Sequence, residues 1–264
     1  MQQMTSTESS TQPTGHLERL RLLEFSNLAP LLKPGMRVLE IGGGSGYQAS
    51  LIAQRGCRVT SIDLVDVRPH RVYFQVQPYD GRTFPCETGS VDLVFSSNVL
   101  EHVRDLPTIF QEMRRVLAPG GHTVHLMPSS TWRFCTTAAY VVYVAMSLAG
   151  LQKDSPGTGG RAVSRGLLAE KAKRLGRFEV LRRAIREPFR PHGEFRNAFS
   201  ELYYYRAARW KRVFEANGFE VCQTFGSGVF YTGYSLLPRL SMRARKIAAR
   251  VLGSACNVIL AQPR

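Results

Sequence analysis

The sequence predicts an α/β protein with a seven-stranded, mostly parallel sheet that carries helices on both faces. Two observations predict this fold class: short runs rich in β-branched residues alternate with segments of helical periodicity, and a glycine-rich turn follows the first run. With 264 residues, of which 44% are hydrophobic and 21% charged, the chain can bury one large core. This composition excludes a disordered or collagen-like chain.

The predicted elements begin with a helix over residues 16–32, which ends at Pro34-Gly35. Further helices are predicted near 47–55, over 106–117 and over 208–217. The link between the second and third strands is too short for a good helix, so a degenerate crossover is expected there. The seven predicted strands are 37–41, 58–63, 72–76, 91–96, 122–127, 219–225 and 257–261.

The alternation stops between residues 128 and 205, where we expect a helical lid inserted into the domain. This region contains the uncharged stretch Phe134–Leu151, the glycine-rich stretch Ser155–Gly160, interpreted as a hinge, and an aromatic-rich helix over Phe195–Tyr205. The predicted organisation is a flexible tail (1–15), a core (16–127), the lid (128–205) and a C-terminal part that completes the sheet (206–264).

Basic side chains are concentrated in the second half of the chain. Residues 1–128 hold 12 basic and 12 acidic side chains and contribute nothing to the net charge of +15. Residues 129–264 hold 23 basic and 8 acidic side chains and contribute all of it. Such a field attracts nucleic acid, anionic lipid or acidic substrates. No known nucleic-acid-binding motif accompanies it, which makes nucleic acid the less favoured partner. Five cysteines without a CxxC, and a polar first segment without signal-peptide character, predict a cytoplasmic location.

A glycine loop follows the first predicted strand, in the segment Val38–Gly46 (VLEIGGGSG). Glycines let the backbone approach a ligand closely, and the helix that follows presents free N–H groups. Residues 44–49 also fit the G-x-G-x-x-A pattern of dinucleotide-binding folds, which is weak evidence by itself. A dinucleotide is therefore one of the ligands that the loop allows.

Carboxylates at the ends of three predicted strands narrow the choice of ligand for this loop. Glu40 lies beside the loop, where it is unfavourable for a pyrophosphate and favourable for a cation. Asp63 ends the second strand and can accept hydrogen bonds from both hydroxyls of a ribose. Asp80-Gly81 follows the third strand, and Asp80 could accept from the amino group of an adenine. Together these acids favour a cationic nucleoside cofactor without phosphates.

The ordered set of motifs resembles the class I S-adenosylmethionine-dependent methyltransferases, in the broad group that includes the ubiquinone-biosynthesis enzymes. The matching motifs are VLEIGGGSG, Asp63, Asp80-Gly81, VDLVFSSNVLEHV, VLAPGG and, after the predicted lid, RWKRVFEANGFEV. They cover about half of the chain. The resemblance implies a Rossmann-like fold, S-adenosylmethionine as the cofactor and a methyl acceptor as the second substrate.

The resemblance also implies roles for single residues. The shortened link after Asp63 departs from the family pattern, because it removes part of the usual adenine wall, and Val65, Tyr79 and Phe84 are candidates to replace it. The implied cofactor-binding residues are Glu40, Gly42, Gly44 and Gly46 for the methionine part, Asp63 for the ribose, Asp80 and Gly81 for the adenine, and Ser97 and Asn98 for the sulfonium side.

Three residues are candidates for acid–base chemistry on the acceptor, which needs orientation, a dry site and sometimes a base. Glu101 and His102 follow the fourth strand, and His192 lies in Pro191-His192-Gly193-Glu194, before the aromatic-rich helix. Each also has a structural interpretation, as a helix-packing histidine or a surface turn. His125, on the fifth strand, is interpreted as a core residue. No metal site is predicted.

Two segments indicate what the acceptor could be. Phe134–Leu151 is 18 residues without a charge, shorter than a membrane span, and fits an interfacial segment, a lipophilic acceptor pocket or an ordinary lid helix. Leu236–Leu252 places basic residues among leucines, a methionine and alanines, as in a membrane-surface helix. Peripheral binding to an anionic inner membrane surface is therefore predicted, and the oligomeric state stays open.

The predicted function is O-methylation, by in-line transfer, of a lipid-, quinone- or glycan-linked or other bulky metabolite. An RNA or protein methyltransferase that uses the basic half of the chain is one alternative. Ser97-Asn98-Val99-Leu100 stands where amino-methylating enzymes have an N-P-P-Y-type loop, which disfavours an amine acceptor. A noncatalytic nucleotide-binding protein and a NAD-dependent oxidoreductase remain as alternatives from other classes.

Overall fold

A computed structural model of the protein describes residues 15–64, 71–148, 191–232 and 240–264. In these residues, seven strands form one sheet. The strands are β1 (Arg37–Ile41), β2 (Arg58–Leu64), β3 (Gln77–Tyr79), β4 (Val91–Ser97), β5 (Leu117–Pro128), β6 (Phe219–Gly226) and β7 (Cys256–Pro263).

The helices of the described residues lie between the strands and before the first of them. Two short 3-10 turns, Ala29–Leu31 and Leu100–His102, supplement them. The Asp105 carboxylate accepts from the Thr108 amide and so begins the third helix. The α helices are α1 (His16–Leu28), α2 (Tyr47–Ala53), α3 (Leu106–Val116), α4 (Ser130–Leu148), α5 (Ala198–Tyr204), α6 (Ala207–Ala216) and α7 (Met242–Leu252).

The strand order is β3-β2-β1-β4-β5-β7-β6. Strands β1 to β5 pair in parallel, and β7 runs antiparallel to both of its neighbours. The predicted seven-stranded, mostly parallel sheet is therefore confirmed. The chain order reverses between β1 and β4, and in open α/β sheets the crevice at such a point, outside the carboxyl ends of the strands, is where ligands bind.

Helices cover both faces of the sheet because neighbouring strand residues point to opposite sides. Val38 packs into a cluster with residues of α1, α2 and α4, whereas Leu39 packs into a second cluster with residues of α3 and α6. Phe110 and Phe214, from α3 and α6, are fully buried against each other, with ring centroids 4.8 Å apart. The two clusters hold the crevice edge of the sheet rigid from both sides.

The third predicted strand is wrong. Residues 72–76 form an irregular segment, and β3 covers Gln77–Tyr79 instead. The Tyr73 amide donates to the Ser45 carbonyl at 2.8 Å, and the Tyr73 ring packs edge-on against Tyr47 at 5.0 Å. The aromatic residues that suggested a strand therefore pack on the glycine loop and α2. The other predicted strands are confirmed, with β5 beginning five residues earlier than expected.

The predicted lid is only partly covered by the described residues. α4 begins it, and Trp132, Thr136 and Tyr140 bury the inner side of this helix. The predicted helix over Phe195–Tyr205 is shorter, since α5 covers Ala198–Tyr204. The predicted tail up to residue 14, the hinge Ser155–Gly160 and the first residues of Leu236–Leu252 lie outside the described ranges. In the described part of the chain, none of the helices combines the length and hydropathy needed to cross a bilayer.

Candidate active site

The glycine loop lies at the carboxyl end of β1, where the crevice is expected. The Gly42 and Gly43 amides donate to the Ile62 carbonyl at 2.8 and 3.0 Å, which ties the loop to β2. Gly42 and Gly46 have φ values of 74° and 73°, and a side chain at either position would collide, with Val99 and with the backbone of Phe74 respectively. Glycine is therefore required at both positions by conformation and by space.

Glu40 is buried beneath this loop, with 2% of its surface exposed. Its Oε2 atom accepts a hydrogen bond from the Ser61 hydroxyl at 2.5 Å. Burial, reinforced by the nearby Asp63 charge, raises the pKa of Glu40 to about 7. A positive charge placed in the crevice would stabilise the ionised form of Glu40.

The other two predicted acids lie along the same edge of the sheet. Asp63 accepts from the Gly44 amide at 2.8 Å, and this bond joins the end of β2 to the glycine loop. Asp80 accepts from the Arg82 and Thr83 amides, both at 2.8 Å, and these bonds lower its pKa. Burial raises the pKa of Tyr79, and the charges of Asp63 and Asp80 add to this effect.

The three residues predicted to replace the adenine wall lie in different environments. Tyr79 is half-buried and feels the charges of Asp63 and Asp80, and its role as a wall residue stays a prediction. Phe84 is only 2% exposed and packs into the core cluster of α3 and α6, so its prediction as a wall residue is wrong. The Phe84 backbone amide donates to the Glu112 carboxylate at 2.8 Å, and this bond directs the segment after Gly81 toward the core. Val65 lies outside the described residues.

Ser97 ends β4 at the crevice, and Asn98 follows it directly. Asn98 has φ 56°, the left-handed region, and among the described residues no other non-glycine residue has a positive φ. Its amide donates to the Leu126 carbonyl at 2.8 Å. With the side-chain oxygen facing α1, Asn98 accepts from the two terminal nitrogens of Arg21 at 2.7 and 2.9 Å.

The buried polar face of α1 was missed by sequence reasoning. The Arg21 guanidinium pairs with Glu24 at 2.6 Å, and Glu24 is completely buried. The Tyr231 hydroxyl donates to Glu24 at 3.2 Å, and the Tyr73 hydroxyl donates to Glu18 at 2.6 Å. The available signal was the spacing of Glu18, Arg21 and Glu24, which places three charges on one side of a helix otherwise interpreted as a packing helix.

The three predicted acid–base residues come together although two chain segments supply them. The donor atoms of Glu101, His102 and His192 all lie within 4.8 Å of one another. The His102 and His192 rings meet edge-on at 5.1 Å, and Glu101 Oε1 lies 3.8 Å from His102 Nε2. Glu101 is 1% exposed, and neither of its oxygens has a hydrogen-bond partner among the described residues.

Burial shifts the titration of all three residues toward their neutral forms. It raises the pKa of Glu101 to about 8 and lowers the pKa of His192 to about 4. It also lowers the pKa of His102, against the opposing effect of the Glu194 and Glu201 charges. At neutral pH the cluster therefore consists of neutral imidazoles beside a largely protonated carboxyl group, an arrangement that can exchange a proton with a bound hydroxyl.

Glu201, on α5, organises the loop that carries His192. Its carboxylate accepts from the His192 and Gly193 amides at 2.5 and 2.8 Å and from the Tyr205 hydroxyl at 3.1 Å. It also forms a buried ion pair with Arg133 of α4, at 2.8 Å. Neither Glu201 nor Arg133 was a predicted site residue, because sequence spacing does not reveal a pair formed between two distant helices.

One of the two histidines on β5 is structural, as expected. His125 is completely buried in β5, and its Nδ1 lies 2.7 Å from the Ser96 hydroxyl. Burial lowers its pKa to about 3. The Phe214 ring, part of the core cluster of α3 and α6, lies 5.4 Å from the imidazole.

Carboxylate and imidazole donors are also typical ligands of divalent cations, so Glu101, His102 and His192 could hold a metal ion. Binding would require Glu101 to lose its proton, against the raised pKa. The prediction of a metal-free site stays a prediction.

Solved structures share this architecture. A methyltransferase from Mesorhizobium loti, described as S-adenosylmethionine-dependent, aligns over 92% of this chain and 98% of its own, with a TM-score of 0.52 and 16% identity. A Pyrococcus horikoshii protein aligns over 99% of this chain and 97% of its own, with a TM-score of 0.52 and 14% identity. The fold is the Rossmann-like fold of S-adenosylmethionine-dependent methyltransferases.

A family model described as a methyltransferase domain matches residues 15–224, and the chain belongs to this family. Similar curated proteins include a ubiquinone biosynthesis O-methyltransferase of Paracidovorax citrulli, 33% identical over 43% of this chain and 52% of that protein. A malonyl-[acyl-carrier protein] O-methyltransferase of Serratia marcescens is 36% identical over 33% of this chain and 36% of that protein. The chain spans less than two thirds of the length of these curated relatives. S-Adenosylmethionine is the cofactor that the family and the fold imply, as the sequence predicted.

Proposed function

We propose that the protein transfers the methyl group of S-adenosylmethionine to an oxygen atom of a bulky metabolite. The observation that carries this proposal is the convergence at the crevice of two sets of residues. The acids Glu40, Asp63 and Asp80 line one part of it, and the cluster of Glu101, His102 and His192 follows the end of β4. A cationic nucleoside and a hydroxyl would meet between them.

The cofactor roles follow from the contacts of each residue. Asp63 and Asp80 each keep acceptor capacity beyond the backbone amides that they bind, for the ribose hydroxyls and the adenine amino group respectively. Gly44 faces open space, where a ligand can approach the backbone closely, and the positive φ values of Gly42, Gly46 and Gly81 shape the turns around it. Glu40 supplies the negative charge for the methionine part, and Ser97 and Asn98 border the sulfonium.

When bound, S-adenosylmethionine supplies a methyl group already activated on a sulfonium. The acceptor oxygen forms its bond to the methyl carbon as the carbon–sulfur bond breaks and its electron pair passes to sulfur. His102 is the group that takes the acceptor proton, because burial lowers its pKa and keeps the ring neutral before transfer, while the charges of Glu194 and Glu201 act in favour of the imidazolium that forms. The largely protonated Glu101 donates a hydrogen bond that orients the acceptor. The exposed His192 packs edge-on against Trp132, 4.9 Å away, which fixes its ring at the open side of the cluster.

The acceptor is proposed to be lipid-, quinone- or glycan-linked, and the protein to work in the cytoplasm at an anionic membrane surface. Support comes from α7, whose outer face carries the exposed residues Arg243, Lys246 and Arg250 beside Ile247 and Val251. Ile247 is 61% and Val251 79% exposed, and α7 contains no acidic residue. Apolar and basic residues on one helix face suit an anionic bilayer surface.

Labelled cofactor, incubated with the full chain and extracts separated into lipid, glycan, RNA and small-molecule fractions, tests the acceptor class. Label in the lipid or glycan fraction supports the proposal, and label in RNA alone overturns it in favour of a nucleic-acid methyltransferase. Co-sedimentation with anionic and neutral vesicles at two salt concentrations tests the membrane contact. Loss of binding in Ile247→Gln/Val251→Gln, but not in Val72→Gln, which removes another exposed valine, would assign that contact to α7.

A further inference from the structure

We propose that a groove between α3 and α6 binds a phosphate or diphosphate group carried by the methyl acceptor. The anion-binding part of this inference is independent of the reaction. Only the identity of the ligand as the methyl acceptor rests on the proposed function.

The groove has the size and chemistry of a ligand site. Its volume is about 460 Å³, within the range of small-molecule pockets. Leu106 and Pro107 from the start of α3, with Val213 and Ala216 from α6, contribute apolar surface. The remaining lining is polar and comes from Tyr203, Arg209, Arg212 and Asn217. An apolar chain with an anionic group would find both kinds of contact here.

The two arginines of the groove lack a carboxylate partner in the part of the chain that the structure describes. Among the described residues neither Arg209 nor Arg212 has a carboxylate within ion-pair distance, whereas Lys211 on the same helix pairs with Glu215 at 3.7 Å. Asp105, next to the groove residue Leu106, has its oxygens turned to the Thr108 amide and hydroxyl. The groove therefore presents a net positive field to a ligand.

Aromatic residues hold the two guanidinium groups without using all of their N–H donors. Arg209 lies over the Tyr204 ring at 5.5 Å, and Arg212 donates to the Tyr203 hydroxyl at 3.4 Å. A guanidinium has five donors in a planar fork that matches two phosphate oxygens. Two such groups one helical turn apart on α6 suit a phosphate or diphosphate better than a single carboxylate.

Both walls of the groove are continuous with the elements of the reaction site. Leu106 follows His102 by four residues, and Tyr203 follows Glu201, which holds the His192 loop, by two. A ligand anchored in the groove thus lies along the same two segments that position the acid–base residues. The groove would fix the distal, anionic end of the acceptor while its hydroxyl occupies the crevice.

Calorimetric titration of the full chain with inorganic pyrophosphate, at low ionic strength and without cofactor, tests the groove. We expect saturable binding by the wild type, and about tenfold or greater weakening in Arg209→Gln/Arg212→Gln, because two charge-assisted contacts are lost. Lys211→Gln removes one positive charge from the same helix outside the groove and should bind like the wild type. Equal affinity in all three proteins, or no binding by the wild type, overturns the proposal.

A second variant and a second ligand keep the result interpretable. Arg209→Lys/Arg212→Lys retains the charge but not the fork and should bind with intermediate affinity. S-Adenosylmethionine titrated into the same samples should bind equally to all of them, which reports folding. If pyrophosphate binds and S-adenosylmethionine does not, the groove stands and the proposed function fails.

Phosphatidylglycerol vesicles distinguish the source of the phosphate. Weaker binding of the double glutamine variant to them, relative to Lys211→Gln, assigns the site to a lipid headgroup. Equal binding of the two variants assigns it to a soluble phosphate ester.

Discussion

The two sides of the crevice are built in different ways. On the cofactor side, contacts join residues close in sequence: Gly44 and Asp63 are 19 residues apart, and Glu40 and Ser61 are 21 apart. On the acceptor side, the Glu194 amide donates to the Glu101 carbonyl, and Arg104 and Glu194 pair across 90 residues. The first side can be recognised from a local motif, whereas the second exists only after α4 and α5 have packed.

The largest effect should come from the buried ion pair that organises the acceptor side. Glu201→Gln removes the charge that compensates Arg133 in a buried environment, at an expected cost of about 3–5 kcal/mol in the free energy of unfolding. Urea unfolding measures this loss. Glu215→Gln breaks the partly exposed pair with Lys211 and should cost less than about 1 kcal/mol. Similar losses in both variants would contradict the special role of the buried pair.

Replacement of His102 should separate turnover from cofactor binding. His102→Gln removes the proposed base, and kcat is expected to fall about 100-fold, at the lower end of general-base contributions. The affinity for S-adenosylmethionine should not change, because that ligand is held by the other side. His122→Gln, at a histidine on β5 outside the cluster, is the matched control. A loss of cofactor affinity equal to the loss of kcat would remove the division between the two sides.

Asp63 allows the converse test on the cofactor side. Asp63→Ala should weaken binding of S-adenosylmethionine and S-adenosylhomocysteine by about 1–3 kcal/mol, because charge-assisted hydrogen bonds to the ribose are lost. Calorimetry measures the change directly. Asp92→Ala removes a carboxylate at the opposite end of the sheet, where it pairs with Arg37 at 2.6 Å, and should leave the affinity unchanged. An Asp63 variant that binds as tightly as wild type would refute the assignment.

The raised pKa of Glu101 predicts a pH-dependent stability. Below pH 4.5, the ordinary pKa of a glutamate side chain, Glu101 is protonated in the folded and in the unfolded chain. Between pH 4.5 and about pH 8, Glu101 loses its proton in the unfolded chain only. The stability is therefore fully present at the low end of this window and decreases as the pH rises, by up to about 1.4 kcal/mol per pH unit. Glu101→Gln should flatten this slope in urea titrations, and Glu220→Gln, an exposed control, should not. An unchanged slope would contradict a buried, protonated Glu101.

The smallest effect is expected from metal removal. Treatment with EDTA followed by dialysis should leave kcat unchanged, because Glu101 keeps its proton near neutral pH and is a poor ligand in that form. Activity that is lost and then restored by a divalent cation would show instead that Glu101, His102 and His192 form a metal centre.

The division between the two sides also explains what the sequence could predict. Strand β1 has the predicted bounds, because a short run built on Val38, Leu39 and Ile41 directly before glycines has few alternatives. Asp63 and Glu40 were correctly placed near the loop, since parallel strands bring their carboxyl ends to one edge. Residues 72–76 have the composition of a strand, but packing of Tyr73 on Tyr47 and on the glycine loop outweighs β propensity.

On the acceptor side, the sequence identified residue types without their proximity. Glu101, His102 and His192 were each chosen for their chemistry, but their convergence depends on Glu201 binding the loop amides and on Arg133 binding Glu201. Long-range pairs of this kind have no local spacing that could reveal them. Phe84 shows the opposite error, because an aromatic residue close to a predicted site packs into the core instead.

The polar inner face of α1 has a consequence for protein engineering. Glu24 and Arg21 occupy positions that apolar residues of similar volume would fill with equal or greater stability, since desolvation of a buried pair offsets much of its attraction. A thermostabilising design that judges residues by burial alone would replace them with leucine and methionine. It would raise the melting temperature and, at the same time, remove the guanidinium that contacts Asn98 in the crevice. α1 is thus a segment in which selection for heat resistance and selection for turnover would favour different sequences.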